Sequence, residues 1–120
     1  MKYALIGCGR IATNHMKAAI NNKLEIVAVC HVLSEKMEAL LAKHDLQADT
    51  SIKRYEDYKQ MVAEEKPDLV SIATESGIHA EIALYCIEQG INLIIEKPMA
   101  MSIEDADKII SLSEKKGVKV

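Results

Sequence analysis

An α/β domain built on a doubly wound parallel sheet, three layers deep, is what the sequence predicts, and three observations carry the prediction. Short β-branched apolar runs alternate with longer segments of helical period along the whole chain. The runs are apolar on both faces, as parallel strands are when helices cover the sheet on two sides. The first run, Tyr3-Ala4-Leu5-Ile6, ends in Gly7-Cys8-Gly9 and passes into a helical segment, the strand-turn-helix opening of a Rossmann-type sheet.

The elements follow in order. Lys2 to Ile6 reads as the first strand, with a helix opening at about Arg10. Leu24 to Cys30 is the second strand, and Met37, Leu40, Leu41 and His44 set a helical stripe behind Ser34 as N-cap. A weak strand is expected near Thr50 to Lys53; Asp57 with Gln60 resembles a capping box, with Met61 and Val62 on the inner face. Asp68 to Ala73 is the next strand, and Ile78, Ile82, Tyr85 and Cys86 form a stripe closed by Gly90. Ile91 to Ile95 follows, then a helix opened by Ser102 with Asp105, lined by Ile103, Ala106 and Ile110, and ended by Lys115, Lys116 and Gly117. Val118-Lys119-Val120 reads as the opening of a further strand. Without that strand, Ile91 to Ile95 would stand at the sheet edge despite its apolar faces, and natural edges are short, charged or covered. The expectation is one domain over residues 1–120, lacking the final strand or strands of its sheet and belonging to a longer protein, or else covered at that edge by another copy.

Composition excludes several classes. With 120 residues and no Phe or Trp, Ile, Leu, Val, Ala and Met must fill the core. A net charge of -3 without a basic block gives no footprint for nucleic acid or a membrane surface. No apolar run approaches the ~20 residues of a membrane span, and the start shows no signal-peptide pattern. Cys8, Cys30 and Cys86 are odd in number and far apart, so they read as reduced thiols of a cytoplasmic protein. His15, His31, His44 and His79 are scattered and no cysteine pair has ligand spacing, so no metal site is expected.

The residues that carry chemistry lie where strands end. Gly7 permits the tight turn, Gly9 lets the backbone approach a pyrophosphate, and Ala12 keeps helix and sheet close. Arg10 and Ile11 open a helix whose free N–H groups and dipole face the phosphates. Cys8 lies within this turn, where a thiolate's pKa would be pulled down, although a small residue that simply fits is the plainer reading. The fingerprint expects an acid ~20 residues on to hold the adenosine ribose; here His31 stands at the end of the second strand. Histidine cannot accept paired ribose hydroxyls as a carboxylate does, and protonated it favours a 2′-phosphate, so NAD and NADP both remain open.

Thr74 and Ser76 can donate to ribose or phosphate oxygens, with His79 beside them, although a plain capping loop with a packing histidine fits as well. In Glu96-Lys97-Pro98, Pro98 stiffens the backbone, Glu96 can grip a ribose diol, and Lys97 can relay a proton when its pKa is lowered near a crevice. Alone such a tripeptide is usually a solvated loop. Ligands bind at the carboxyl ends of the strands in open parallel sheets, so both motifs should face one crevice.

Across essentially its whole length the chain resembles the amino-terminal domain of the glucose-fructose oxidoreductase / inositol dehydrogenase family (Gfo/Idh/MocA). The resemblance rests on Ala4 to Ile11, Val27 to Cys30, Ser71 to Thr74 with His79, and above all Ile94-Ile95-Glu96-Lys97-Pro98-Met99-Ala100 with Glu104-Asp105-Ala106. It implies an NAD(P)-dependent oxidoreductase acting on a sugar, inositol or nucleotide-sugar hydroxyl. In such enzymes the lysine matching Lys97 lies beside nicotinamide and substrate, and the glutamate matching Glu96 contacts the nicotinamide ribose. Some stretches are similar to the branch that oxidises UDP-sugar uronates.

Three departures stand out. His31 replaces the usual aspartate, Glu75 and Ser76 replace proline and asparagine, and the family's second domain, with its substrate pocket and catalytic Asp and His, is absent. The expected function is therefore dinucleotide binding without turnover by this chain alone. A sugar-like substrate would engage only with the missing domain, and a homo-oligomer could form through the open sheet edge. Two other classes fit the residues: a stand-alone dinucleotide-sensing module, and an S-adenosylmethionine-binding methyltransferase domain, against which Glu96-Lys97-Pro98 counts.

Overall fold

The computed structural model describes residues 1–120 throughout. Five strands, β1 (Lys2–Ile6), β2 (Glu25–Cys30), β3 (Lys53–Tyr55), β4 (Leu69–Ile72) and β5 (Asn92–Ile95), alternate with α1 (Ala12–Asn21), α2 (Ser34–Lys43), α3 (Tyr58–Glu65), α4 (His79–Glu88) and α5 (Ile103–Lys116). The strands form one parallel sheet in the order β3-β2-β1-β4-β5. Each strand-helix-strand passage is long enough to return the chain parallel, which a hairpin cannot do. The chain winds outward from β1 in one direction and then, with β4, in the other. The switch lies between β1 and β4, where a crevice opens at the carboxyl ends.

Both faces of the sheet are covered. Tyr3, Leu5 and Val29 pack against Met16, Ala19, Met37, Leu40 and Leu41 from α1 and α2. Ala4, Ile6, Ala28, Cys30, Val70, Ile72 and Leu93 pack against Met61, Ile82, Cys86, Ile87 and Ile109 from α3, α4 and α5. The period-2 alternation in β1 assigns one set to each face. A register shift between Tyr3 and Ala4 passes over Val27 in β2, so Val27 and Ala28 both join the second cluster.

Several local expectations shift. Arg54 draws the segment before β3 into a turn: its guanidinium donates to the main-chain oxygens of Gln47, Asp49 and Ile52 and to Glu38. Asp49 also accepts from the Ser51 N–H, so the strand begins at Lys53 instead of Thr50. Ser34 is the first residue of α2 and not its N-cap; extended Leu33 precedes it and donates its N–H to His31 Nδ1. Asp57 caps α3 through the Lys59 N–H, but Gln60 turns forward to Glu64, leaving half a capping box.

In α4, Ile82 and Cys86 are buried, Ile78 lies in the preceding 3₁₀ turn (Ser76–Ile78) and is exposed, and Gly90 follows at φ +77°. Ser102 caps α5 by accepting the Asp105 N–H, and Gly117 ends it in the left-handed conformation. Its inner face is Ala106, Ile109 and Ser113 rather than Ile103, Ala106 and Ile110; Ile103 and Ile110 are exposed.

Beyond α5, the Leu93 N–H donates to Lys119 O and the Lys119 N–H to Asn92 Oδ1. The last residues therefore begin a sixth line beside β5. No helix is long and apolar enough to cross a membrane.

Candidate functional site

The glycine turn is wedged into the sheet. Gly7 has φ +96°, and a Cβ there would stand 2.6 Å from the Ala73 carbonyl and 2.7 Å from the Thr74 nitrogen. Its N–H donates to Cys30 O at 2.8 Å, so β1, β2 and β4 are fastened together where the chain leaves the sheet. At Gly9, in contrast, a Cβ would meet nothing within 4 Å; its missing side chain leaves open space. The Gly9 carbonyl accepts the Ala12 N–H, so α1 starts two residues later than Arg10. Ile11, the N-cap, supplies no side-chain cap, and no acid stands in the first turn. The Ala12 N–H is taken by Gly9 O and the Asn14 N–H by Ile11 O, so the donors left for an anion are those of Gly9, Arg10, Ile11 and Thr13. Arg10 and Ile11 are exposed.

Cys8 follows the plainer of its two readings, a small residue that fits the turn, and not the lowered thiolate. Its thiol is buried, its Sγ lies 3.6 Å from Cys30 O, and burial together with the neighbouring Cys30 pushes its pKa up to about 12. The side chain faces the core between β1 and α1, away from the helix dipole that would have lowered the value. Cys8 can serve a ligand only through its main chain.

A depression of about 290 Å³ lies at the carboxyl ends of β1, β2 and β4, lined by Gly7, Gly9, His31, Glu56, Thr74 and Glu75 among others. His31 sits at its β2 end with Nδ1 accepting the Leu33 N–H at 3.0 Å. Burial first, and then the Lys36 charge, hold its pKa below the ordinary value. The ring is therefore neutral near pH 7, contrary to the protonated form that would favour a 2′-phosphate. Sequence reasoning missed Glu56 and Tyr58, which reach the same depression from the segment after β3; nothing in their spacing marked them. A larger hollow of about 470 Å³ lies at the amino ends of β4 and β5, around Lys66, Asp68 and Asn92. It holds none of the motif residues, and the strand-end rule favours the smaller one.

The β4–α4 loop and the turn after β5 are tied together by His79. The ring is 1% exposed, with Nδ1 at 2.8 Å from Pro98 O and Nε2 at 2.8 Å from Thr74 O. Both partners are main-chain carbonyl oxygens, so both ring nitrogens are engaged within the chain. No ring nitrogen is left for a ligand: His79 shapes the site through Thr74 and Pro98. Thr74 lines the depression, whereas Ser76 is half-buried in the 3₁₀ turn and outside its wall. The Lys97-Pro98 peptide is cis.

Glu96 and Lys97 also stand outside that wall, at the carboxyl end of β5. Glu96 Oε1 lies 2.8 Å from His15 Nε2 on α1, and Lys97 is exposed. His31, Gly7, Thr74 and Glu96 thus follow one another along the ends of β2, β1, β4 and β5, a line of about 14 Å across adjacent strands. The amino end of α1 stands over its middle.

A glycine cradle that a Cβ would fill, an acid-free helix start and a line of polar groups across the switch point suit an extended diphosphate ligand with a ribose at each side. Fold and site together define a dinucleotide-binding domain. The chain matches, over residues 1–120, the family described as "Oxidoreductase family, NAD-binding Rossmann fold". It belongs to that family, Gfo/Idh/MocA, as an NAD-binding Rossmann domain.

Among its relatives, inositol 2-dehydrogenase of Salmonella typhimurium is 27% identical over 98% of this chain and 34% of its own length. D-glucoside 3-dehydrogenase of Escherichia coli is 31% identical over 98% of this chain and 32% of its own. The WlbA dehydrogenase of Bordetella pertussis, solved with NADH and UDP-GlcNAcA, superposes with a TM-score of 0.86 at 29% identity, covering 98% of this chain and 34% of that one. The chain spans about a third of the length of the curated relatives it matches.

Proposed function

We propose that this chain is the cofactor-binding part of a dehydrogenase that oxidises a hydroxyl of a sugar, inositol or nucleotide sugar, and that it prefers NAD to NADP. The observation that carries the reading is the line of strand ends from His31 through Gly7 and Thr74 to Glu96. The relatives named for inositol and glucoside oxidation, and the neighbour solved with a nucleotide sugar, support the substrate class.

In this reading Cys8, Gly9, Arg10 and Ile11 hold the pyrophosphate through main-chain N–H groups, and Gly7, whose own N–H is taken by Cys30 O, shapes the turn that presents them. Thr74 and Ser76 donate nearby, and Glu96 accepts a ribose hydroxyl. When bound, the nicotinamide supplies the hydride acceptor. Lys97 is exposed, so its Nζ is available to donate to a substrate oxygen and steady the negative charge that develops there as the proton passes to a base. The substrate pocket and its base belong to sequence outside these residues, so turnover is not expected of this chain alone. The reading places the protein in the cytoplasm.

The preference for NAD follows from charge. Glu56 and Glu75 line the depression, no lysine or arginine does, and His31 is neutral. A 2′-phosphate there would face carboxylates. Calorimetric titration with NADH, NADPH and S-adenosylmethionine tests this: NADH should bind about tenfold or more tighter than NADPH, and S-adenosylmethionine not at all. His31→Asp, which restores an acceptor for the ribose diol, should tighten NADH by several-fold. Equal affinity for the two dinucleotides would refute the preference, and binding of S-adenosylmethionine alone would refute the dehydrogenase reading.

A further inference from the structure

Glu96 and Lys97 are neighbours, yet the fold treats them differently. Lys97 has no partner, whereas Glu96 is tied across 81 residues of chain to His15, with Nε2 at 2.8 Å from Oε1. The Glu96 N–H also donates to Ile72 O at 3.0 Å, fixing the backbone from which the carboxylate springs. The His15 side chain is 10% exposed and that of Glu96 29%, so the pair is more sheltered than the surface ion pairs that contribute little. The tie uses Glu96 Oε1, which leaves Oε2 free of it. His15 itself is the fourth residue of α1, one turn in from the helix start that awaits the pyrophosphate.

From this geometry we infer that His15 is a positioning residue for the dinucleotide: it holds Glu96 in the orientation that accepts the hydroxyls of the nicotinamide-side ribose. The inference rests on the reading of Glu96 as a ribose acceptor. A free glutamate must surrender the rotation of its side chain when it grips a diol. Bonded through Oε1 to an imidazole N–H, the carboxylate is already ordered, and Oε2 is left to accept. A hydrogen bond to a carboxylate is among the stronger kinds, and preorganisation of this sort converts into affinity because the ordering has been done before the ligand arrives. The tie also joins the middle of the site to its β5 end. The helix that meets the phosphates carries the residue that aims the acid at β5, so a shift of α1 is felt at Glu96.

The test uses ligands that differ by one ribose. ADP lacks the second ribose, ADP-ribose carries it, and NADH adds the nicotinamide. Calorimetry is run on the chain and on His15→Leu, which removes the donor and keeps the bulk, His15→Gln, which keeps an N–H, Glu96→Gln, and the His15→Leu/Glu96→Gln double variant. His15→Leu should weaken ADP-ribose and NADH about tenfold and ADP less than twofold. His15→Gln should recover most of the loss, and the double variant should be no weaker than Glu96→Gln alone. Should His15→Leu fail to fold, His15→Asn, whose amide is too short to reach Glu96, reads the same split. An equal loss for ADP and ADP-ribose would show a merely structural role and overturn the inference. A loss for ADP-ribose with Glu96→Gln but not with His15→Leu would overturn it while leaving the ribose reading in place. No loss with Glu96→Gln would overturn both.

Discussion

Two glycines two positions apart do different work. Gly7 is fixed by conformation and by space: a left-handed φ and a backbone 2.6 Å from where a Cβ would lie. Gly7→Ala should destabilise the domain by roughly 2–4 kcal/mol in urea or thermal unfolding. Gly9 has open space, so Gly9→Ala should leave stability nearly unchanged and lower dinucleotide affinity instead. The histidines set an acid limit. Burial, aided by lysines, holds His31 and His44 below the ordinary 6.5. The unfolded chain therefore binds more protons than the native one, so stability falls as pH drops through 6.5 toward the folded values and levels off beneath them. A melting series from pH 7.5 to about 5.5 should show this decline, and His31→Gln with His44→Gln should flatten it. The thiols of Cys8, Cys30 and Cys86 are each pushed up to about 12 by burial. Alkylation at about pH 8 should then proceed only as fast as the domain opens.

At the level of elements, the strands were the most legible part. Lys2–Ile6 and Glu25–Cys30 are apolar on both faces because helices cover both, and that pattern survives in the residues themselves. The weakest strand was displaced because Arg54 gathers main-chain oxygens around it, an interaction with no periodic signature. In α5 a stripe through Ile103, Ala106 and Ile110 competes with one through Ala106, Ile109 and Ser113, about one residue round the helix. Composition favours the first, yet Ile109 is the residue fully buried against the sheet cluster. Ile109→Ala should accordingly cost ~2–4 kcal/mol, and Ile103→Ser less than about 0.5 kcal/mol, in urea unfolding. The site followed the same division. The glycine turn and the Glu96-Lys97-Pro98 segment are contiguous and could be read. The ties of His15 to Glu96 and of His79 to Thr74 and Pro98 join distant segments, and a list of scattered histidines conceals them.

For the molecule as a whole, the central claim is that two motifs some ninety residues apart serve one ligand laid across the ends of four strands. The hollow of about 290 Å³ covers only the part of that line near β2, β1 and β4; Glu96 and Lys97 lie farther along it, past the start of α1. A ligand bound only in the hollow would leave the second motif idle. Amide chemical shifts of the ¹⁵N-labelled chain, followed through a titration with NADH, separate these cases most directly. The amides of Gly7 to Ala12, Thr74 to Ser76, Glu96, Lys97 and Met99 should all shift with a single shared affinity. Shifts confined to one motif, or gathered around Lys66, Asp68 and Asn92 at the other end of the sheet, would contradict it.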